Sequence, residues 1–209
     1  MINEIVDDNS FQELSLVKTI TKRILSCATS KYEPDNAVIV GIAFIGRRKT
    51  ICIQLDKTHK MGTIGVSEGE KITLAFEYAA KKKLPIVAVV ASGGIRVQES
   101  TLALMQMVKM ATAVKQHSNK GLLFISIVTN PTLGGASASF VSLADIIIAE
   151  KGATYGFSGK RIIEDTTHEK LSDDFQTAEY AKRHGMIDIV ADRDEIKSLI
   201  GKLLRLHTK

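Results

Sequence analysis

The sequence predicts an α/β fold, in which a sheet of largely parallel strands is covered by helices. Two observations support this prediction. Beyond residue 83, short apolar runs are each followed by a turn and then by a segment whose apolar residues have helical spacing. The runs at 86–91 and 122–128 are apolar almost throughout, which is typical of strands covered on both faces. Strands and helices that alternate in this way form layers joined by right-handed crossovers.

The first 35 residues differ in pattern from the rest of the chain. Residues 11–28 place apolar side chains at helical spacing, and Pro34 closes the segment. We therefore expect residues 1–35 to form an N-terminal helical arm and residues 36–209 to form the main domain. No linker of low complexity divides the main domain further.

The main domain begins with two β-rich runs and continues as alternating strands and helices. Three lysines at 81–83 end its first helix, where solvated cations suit the helix dipole, and a ligand-binding patch is the less favoured interpretation. The predicted elements are, in order, strands at 37–44 and 50–55 joined by a hairpin turn at 46–49, a helix at 68–83 that buries Ile72, Ala75, Phe76 and Ala79, a strand at 86–91, a helix that ends near residue 116, a strand at 122–128, a short helix, strands at 145–149 and 153–157, helices at 162–170 and 175–184, a strand at 186–190 and a helix at 192–206.

The composition is that of an ordinary globular protein, and it argues against several classes of function. The chain has 209 residues, of which 44% are hydrophobic and 24% charged. Its net charge of +5 is modest and aromatic residues make up only 5%, so we expect no nucleic acid partner. No apolar run approaches the ~20 residues that span a bilayer. The polar, acidic N-terminal residues argue against a signal peptide, so we expect a cytoplasmic protein without a membrane contact.

Cysteine and histidine residues offer no metal site in the sequence. Cys27 and Cys52 are too few for a four-cysteine zinc ribbon, so no structural zinc is expected, and the apolar run around Cys52 indicates a core position. None of the five histidines has a partner at ligand spacing, and each is expected at the surface. The phosphate-binding loop, the dinucleotide fingerprint and the nucleophile elbow are also absent.

Two glycine doublets are the strongest functional signal in the sequence. Gly93 and Gly94 follow one apolar strand, and Gly134 and Gly135 follow the next. Ligands bind at the carboxyl ends of strands in open α/β sheets, and glycine lets a ligand approach backbone N–H groups closely. Two such turns could bind an oxyanion, which indicates chemistry on a thioester or an enolate. Either doublet alone could instead be a tight turn that only packing requires.

Residues beside the doublets provide further candidates. Arg96 stands where the helix after the first doublet is expected to start, and a cation there is unfavourable unless it meets an anion. Ser137 follows the second doublet, but no base that would activate a serine nucleophile is visible. A methionine-rich stretch could form an adaptable binding face, although the spacing of Leu104, Val108 and Ala111 favours a packed helix.

Ten short stretches carry a family signature. They lie in order at 62–71, 91–99, 104–107, 129–140, 144–145, 149–150, 156–159, 161–164, 169–171 and 185–188. Together they resemble the β subunit of the carboxyltransferase of bacterial acetyl-CoA carboxylase, over roughly residues 37–206 and without large gaps. The sequence departs from this family by having no four-cysteine zinc ribbon. It also has Asn130 and Lys160 where the family tends to have aspartate and proline.

The resemblance implies a crotonase-like fold, in which ββα units stack into a right-handed superhelix. It also implies the β-type subunit of a biotin-dependent enzyme of fatty acid biosynthesis, which transfers a carboxyl group from carboxybiotin to acetyl-CoA and gives malonyl-CoA. In this family the ureido oxygen of biotin takes the α-proton of the acyl group, so no side-chain base is needed. The protein stabilises oxyanions with fixed N–H groups, each worth ~3–4 kcal/mol.

The resemblance assigns residues and partners as well. Gly134 and Gly135 are the leading oxyanion donors, and Gly93 and Gly94 line the acyl-CoA pocket or act as second donors. Biotin is carried by a biotin carboxyl carrier protein and is not attached to this chain. A homologous α-type subunit completes the site, which implies an α2β2 assembly and no activity for the β-type chain alone. The residues expected to bind CoA are Gly62, Ser92, Arg96, Lys160 and Arg161.

Two other functions are compatible with the sequence. One is a decarboxylase subunit that acts on malonyl thioesters. The other is a non-catalytic paralogue that serves as a scaffold in the complex. Formation of malonyl-CoA by the chain mixed with an α-type subunit and a biotinyl carrier protein distinguishes these functions.

Overall fold

The computed structural model describes residues 1–15 and 37–207, which form a seven-stranded sheet with helices on both faces. The predicted α/β class is therefore confirmed. The strands are β1 Gln12–Glu13, β2 Val38–Ile45, β3 Arg48–Leu55, β4 Ile86–Ser92, β5 Phe124–Thr132, β6 Ile146–Glu150 and β7 Ile189–Ala191. The helices are α1 Ile2–Ile5, α2 Val66–Lys82, α3 Ser100–Ser118, α4 Gly134–Ser139, α5 Lys160–Thr167, α6 Ala178–Arg183 and α7 Arg193–His207. Short 3-10 turns lie at Lys60–Gly62, Val97–Glu99 and Val141–Leu143.

The strands lie side by side in the order in which they occur in the chain. Strands β1, β2 and β3 are antiparallel, and β2 pairs with β3 from Val38 opposite Leu55 to Ile45 opposite Arg48. From β3 to β7 every neighbouring pair is parallel. The carboxyl ends of β3, β4 and β5 therefore lie at one edge of the sheet, and the turns that follow them converge there.

Alternate residues of the strands pack on opposite faces of the sheet, as β geometry requires. On one face Ile86, Ala88 and Val90 of β4 pack with apolar residues of α2 and α3. On the other face Val87 and Val89 pack with apolar residues of α1 and α7. Because helices cover both faces, β4 is buried along its whole length, which explains its continuous apolar sequence.

Helix α2 has the buried face that the sequence predicts. All four residues assigned to that face are fully buried. The helix begins after Gly65, whose N–H donates to the Glu68 carboxylate at 3.0 Å and so gains a partner at the helix end. It ends at Lys83, which adopts a left-handed conformation with φ of +56°.

The outer face of α3 carries apolar side chains that helical spacing assigned to the core. Leu104 and Met105 are exposed, and Val108 is 58% exposed. The prediction that Leu104 and Val108 are packed is therefore wrong. The inner face, which packs towards α2, combines three small residues with three larger ones. The buried residues of α3 are Ala103, Gln106, Met110, Ala113, Val114 and His117.

Two other elements differ from the prediction. The helix after the first glycine doublet begins at Ser100, because Gly94 and Arg96 instead hydrogen-bond with Ile64 in an extended bridge. The predicted strand at 153–157 is reduced to isolated bridges, because this segment crosses the end of β5 without extending the sheet.

The N-terminal segment packs on the sheet. Ile2 and Ile5 of α1 are buried in the core on the α7 side. Residues Gln12–Glu13 pair with β2, where the sequence predicted a helix. The remainder of the predicted helix at 11–28 and the boundary after residue 35 lie outside the described residues. The division into an arm and a main domain therefore stays a prediction.

His117 is a core residue, which contradicts the prediction that every histidine lies at the surface. Its Nε2 is 3.0 Å from the Leu84 carbonyl oxygen, and its ring meets the Phe76 ring edge-on with 5.7 Å between centroids. Within the described residues, Nδ1 meets no hydrogen-bond partner. Burial lowers the pKa of His117, so the neutral ring with Nε2–H donating to Leu84 is the stable form at pH 7.

We expect His117 to make the protein less stable as the pH falls below about 7. The unfolded chain takes up a proton near the ordinary histidine pKa of about 6.5. The folded protein takes it up only at lower pH, so the unfolded state binds more protons in between and gains stability. Urea unfolding at pH 7.5 and pH 5.5 should show wild type losing stability relative to His117→Phe. His168→Asn, at an exposed histidine, should leave the pH dependence of wild type unchanged.

Candidate active site

Two glycine turns meet at the carboxyl ends of β4 and β5. Gly94 has a φ of +112° and Gly134 a φ of +61°, backbone conformations that favour glycine. A Cβ on Gly94 would lie 3.2 Å from the Gly135 nitrogen, and a Cβ on Gly134 would lie 3.2 Å from the Gly94 Cα. The fold therefore brings the two predicted doublets together, backbone against backbone.

The first doublet uses its own N–H groups to hold the turn. Gly93 N–H donates to the Met61 carbonyl oxygen at 2.9 Å, and Gly94 N–H donates to Ser92 Oγ at 3.1 Å. Neither N–H is available to a ligand, which corrects the prediction that Gly93 and Gly94 act as second oxyanion donors. A place for the two glycines beside an acyl group stays a prediction.

In the second doublet, the two N–H groups differ. Gly134 N–H donates to the Phe157 carbonyl oxygen at 2.9 Å, so Gly134 is a structural donor and the prediction that it binds an oxyanion is corrected. Gly135 is the second residue of α4, and its N–H donates to no acceptor in residues 1–15 or 37–207. The N–H groups in the first turn of a helix have no partner within the helix, so this one is available to a ligand.

Ile95 is a site residue that sequence reasoning missed. It pairs with Ile64 in a parallel bridge whose hydrogen bonds use the Gly94 carbonyl and the Arg96 N–H, each at 2.8 Å. The Ile95 N–H points away from Ile64, as the alternation of an extended segment requires, and it meets no acceptor among the described residues. The Ile95 side chain lies where a Cβ on Gly135 would be. Its position directly after a glycine doublet is the signal that could have identified it.

The glycine loop before α2 is held against the first doublet. The buried Ser92 hydroxyl donates to the Gly62 carbonyl oxygen at 2.7 Å while it accepts the Gly94 N–H. Gly62 is also buried, with a φ of +62°, and a Cβ there would overlap the Ala91 carbonyl oxygen. The prediction that Gly62 and Ser92 bind CoA is therefore corrected, because both are covered and serve to position the turn.

Gly62→Ala should lower the free energy of unfolding by about 2–6 kcal/mol. The left-handed conformation of an alanine costs about 1–3 kcal/mol, and forcing extra atoms into packed structure costs about 1–3 kcal/mol more. Gly152→Ala is a matched control, because Gly152 has a φ of +71° but a Cβ there meets nothing within 4 Å. Urea unfolding should show a much smaller loss for the control. Equal losses would mean that the contact with Ala91 contributes nothing.

Arg96 is the centre of an ion-pair network. Its Nη2 donates to Glu68 Oε1 at 2.6 Å and to the Thr63 carbonyl oxygen at 2.9 Å, and its Nη1 donates to Glu99 Oε1 at 2.8 Å. Arg96 is 8% exposed and Glu68 1% exposed. Burial acts to lower the pKa of Arg96, but the hydrogen bonds and charges of Glu68 and Glu99 raise it above its ordinary value.

The two carboxylates connect Arg96 to the start of α2. The second oxygen of Glu68 accepts the Gly65 N–H at 3.0 Å, and that of Glu99 accepts the Val66 N–H at 2.7 Å. The anion that Arg96 requires is therefore supplied by this chain. The prediction that Arg96 binds CoA phosphates is corrected, and its contacts hold the turn that follows the first glycine doublet against the start of α2.

Lys160 and Arg161 begin helix α5, a few residues after the Phe157 carbonyl that holds Gly134. Lys160 Nζ donates to the Ser172 carbonyl oxygen at 2.7 Å. The Arg161 guanidinium is almost fully exposed and lies 3.8 Å from Asp165 on the same helix. Arg161 is thus open to an anion from solvent, and the binding of CoA by either residue stays a prediction.

Two side chains that could act as nucleophiles are committed to structural roles. Ser137 Oγ lies 2.8 Å from the Gly134 carbonyl oxygen and 2.6 Å from that of Gly156, so its proton is shared between two acceptors. The Cys52 thiol is buried in the core, and burial raises its pKa to about 12, which leaves almost no thiolate at neutral pH. The prediction that Cys52 is a small core residue is confirmed.

Apolar surface lies beside the glycine turns. A cavity of about 640 Å³ separates α4 from the segment that follows β6. Phe157 at its rim is 67% exposed, and Met186 is also exposed. The lining includes Ala138, Ile147, Tyr155, Phe157, Ile163, Phe175, Tyr180 and Met186.

Metal-binding clusters and membrane-spanning helices are both absent from residues 1–15 and 37–207. No group of three or more His, Cys, Asp or Glu side chains there is arranged to hold a metal ion. No helix in that part of the chain is both long and apolar enough to cross a bilayer.

Comparisons with known proteins agree with this geometry. The chain is 46% identical to acetyl-coenzyme A carboxylase carboxyl transferase subunit beta 1 of Lachnospira eligens over 97% of this chain and 82% of that protein. Its structure resembles that of transcarboxylase 12S with methylmalonyl-coenzyme A and methylmalonic acid bound, with a TM-score of 0.82 and 29% identity over 97% of this chain and 40% of the other. It also resembles the MdcD–MdcE hetero-dimer of Pseudomonas malonate decarboxylase, with a TM-score of 0.79 and 19% identity over 98% of this chain and 83% of the other.

The family assignment rests on the sequence as well as on the fold. The model of the carboxyl transferase domain matches residues 1–204, nearly the whole chain. The structural relatives confirm the crotonase-like fold that the resemblance implied. On the match to the family model and the identity to the acetyl-coenzyme A carboxylase subunit, the chain belongs to the carboxyl transferase family.

Proposed function

We propose that this chain is the β-type subunit of a biotin-dependent carboxyltransferase that converts acetyl-CoA to malonyl-CoA. The observation that carries the proposal is the pair of N–H groups on Gly135 and Ile95. They lie where the two glycine turns meet, and neither has an acceptor among the described residues. The high identity to an acetyl-coenzyme A carboxylase subunit supports acetyl-CoA as the acyl substrate.

The chemistry that this site can perform is stabilisation of negative charge on oxygen. When bound, carboxybiotin would release CO₂, the ureido oxygen of the biotin left behind would take the α-proton of the acyl group, and the resulting enolate would add to the CO₂. Gly135 N–H and Ile95 N–H donate to the oxygen on which negative charge develops. Each fixed donor of this kind contributes ~3–4 kcal/mol to the transition state. The missing side chain of Gly135 keeps that approach free of a clash with Ile95.

The described residues lack a group that the reaction needs, and this lack indicates which partner proteins the chain requires. They offer no side-chain base beside the two N–H groups, so proton transfer falls to biotin on a carrier protein. The exposed apolar side chains of α3 and of the Phe157 cavity rim form the contact surface for an α-type subunit. We infer an α2β2 assembly in the cytoplasm, with no zinc bound by this chain. The transcarboxylase relative is itself a hexamer, which supports an oligomeric enzyme.

The binding of CoA is assigned to the start of α5. Arg161 is almost fully exposed there, with only the equally accessible Asp165 at 3.8 Å as an ion-pair partner, and Lys160 is half-buried beside it. A cation at a free surface attracts the phosphates of CoA. We therefore expect Arg161→Gln to raise KM for acetyl-CoA several-fold with little change in kcat.

The proposal is tested by mixing the purified chain with an α-type subunit and a biotinylated carrier protein. Mass spectrometry should detect malonyl-CoA that depends on carboxybiotin, acetyl-CoA and both subunits. The chain alone should give no product. Release of CO₂ from a malonyl thioester without carboxylation of acetyl-CoA would instead identify a decarboxylase subunit. No turnover in either assay, with a stable complex still formed, would identify a scaffold.

A further inference from the structure

A basic groove lies at the edge of the sheet opposite the glycine turns. It is formed where β3, β4 and β5 begin, and its volume is about 570 Å³. The hairpin between β2 and β3 contributes Arg47, Arg48 and Lys49, the end of α2 contributes Lys83, and the end of α7 contributes His207. A cavity of this volume is in the range that holds a small organic ligand, about 300–1,000 Å³.

The four permanent cations of the groove have no anionic partner among residues 1–15 and 37–207. No ion pair joins Arg47, Arg48, Lys49 or Lys83 to a carboxylate anywhere in the described part of the chain. Most other arginines of the described residues are paired, and no carboxylate lines the groove. Four like charges that converge on one cavity repel each other, and an anion in that cavity would relieve the repulsion.

Two carboxylates lie near the groove, but neither is ion-paired with the described side chains that line it. Asp145 lies in the adjoining hollow, where its carboxylate accepts the Phe124 N–H at 2.8 Å. Asp7 accepts the N–H groups of Gly46 and Arg47 at 3.1 and 2.9 Å and so holds the hairpin turn. Both carboxylates are engaged with the backbone rather than with the side chains that line the groove.

Two of the cationic residues adopt the left-handed backbone conformation, which is unfavourable for residues other than glycine and asparagine. Arg47 has a φ of +66° in the two-residue hairpin turn, and Lys83 has a φ of +56° at the end of α2. Glycine or asparagine is preferred at both kinds of position. A cation at a helix end suits the helix dipole, which accounts for Lys83. The hairpin belongs to no helix, so the dipole does not account for Arg47.

Phe44 adds an apolar surface to the groove. It lines the cavity beside the hairpin cations, and it is 43% exposed although it is a large aromatic residue. A flat aromatic ring next to cations suits a ligand that combines phosphates with an organic ring. We propose that this groove binds a small organic polyphosphate, with its phosphates on Arg47, Arg48, Lys49 and Lys83 and its ring on Phe44.

The proposed site is separate from the catalytic one. The groove lies where β4 begins and the first glycine doublet lies where it ends. Seven residues of strand at ~3.3 Å each put about 20 Å between them. The ligand of the groove is therefore not the acyl-CoA that reacts at the glycine turns.

The proposal is tested by isothermal titration of the full chain with ATP and with inorganic tripolyphosphate, both without magnesium. The double variant Arg47→Asn, Arg48→Gln should bind both at least 10-fold more weakly. Asparagine suits the left-handed turn, so this variant should be no less stable than wild type. Phe44→Ser should weaken the binding of ATP several-fold and leave the binding of tripolyphosphate unchanged. This result would distinguish a site for an organic polyphosphate from a site for free polyphosphate.

The control is Lys81→Gln, Lys82→Gln, which removes two exposed cations from the end of α2 outside the groove. It should change either affinity less than 2-fold. Equal weakening by the control and by the hairpin variant would show general attraction to a basic surface and overturn the proposal. A 20-nucleotide RNA that binds through the hairpin cations more than 100-fold more tightly than ATP would also overturn it, in favour of a nucleic acid surface.

Discussion

Replacing Gly135 by proline should lower the rate of malonyl-CoA formation by about 10²–10³-fold. Proline has no N–H, so this change removes the proposed oxyanion donor, and the loss of one such donor reduces kcat by that factor. Proline is tolerated in the first turn of a helix, where the N–H has no partner within the helix, and Gly135 is the second residue of α4. The measurement is the initial rate with the α-type subunit and the carrier protein present.

The matched control for this variant is Gly135→Ala, which adds a Cβ but keeps the N–H. Both changes bring a Cβ onto the Ile95 side chain, so both are best made in an Ile95→Ala background, which opens the space. In that background the alanine variant should retain most of the activity. If proline and alanine at position 135 give equal rates while both proteins remain folded, the Gly135 N–H is not an oxyanion donor.

Arg96→Met should lower the free energy of unfolding by about 3–5 kcal/mol, the usual loss when one partner of a buried ion pair is removed. Glu68 would be left almost fully buried without its counter-charge. For a chain of this size each kcal/mol shifts Tm by about 2–4 °C, so the melting temperature should fall by about 6–20 °C. Thermal and urea unfolding both measure this loss.

The network predicts strong coupling between Arg96 and Glu68. Glu68→Gln keeps an oxygen for the Gly65 N–H and removes the charge, so Arg96→Met with Glu68→Gln should lose much less stability than the two single changes summed. Exposed Arg161→Gln should change stability by less than about 0.5 kcal/mol. Additive losses in the double variant would mean that Arg96 contributes through packing and not through its charge.

Periodicity in the sequence was sufficient to predict the layers of the fold and the buried face of α2. The sequence-based prediction failed where a tertiary contact overrides the local preference of the sequence. Leu104 and Val108 have the spacing of core residues, but the opposite face of α3, with Met110 and Ala113, is the one that packs with α2. The isolated bridge with Ile64 keeps the chain extended after Gly94, and no local pattern indicates a partner 31 residues away.

The position of the candidate site was predictable from the sequence. Which backbone N–H groups are free to donate to a ligand was not. Glycine doublets after two strands locate the edge at which a ligand binds. Which N–H groups remain free depends on acceptors distant in the chain, such as the carbonyls of Met61 and Phe157. The role of Arg96 likewise depends on Glu68, which is 28 positions away and buried by folding.

The packing of α1 and α7 on one face of the sheet has a consequence for synthesis in the cell. That face includes Val87, Ile125 and Ile127, and residues from both α1 and α7 complete the core over them. A ribosome makes the chain from its N-terminus, so this apolar face stays open until residues 193–207 have emerged. The nascent chain is therefore a client for chaperones through most of its translation. Chains truncated before residue 193 should be insoluble even though both glycine doublets are present.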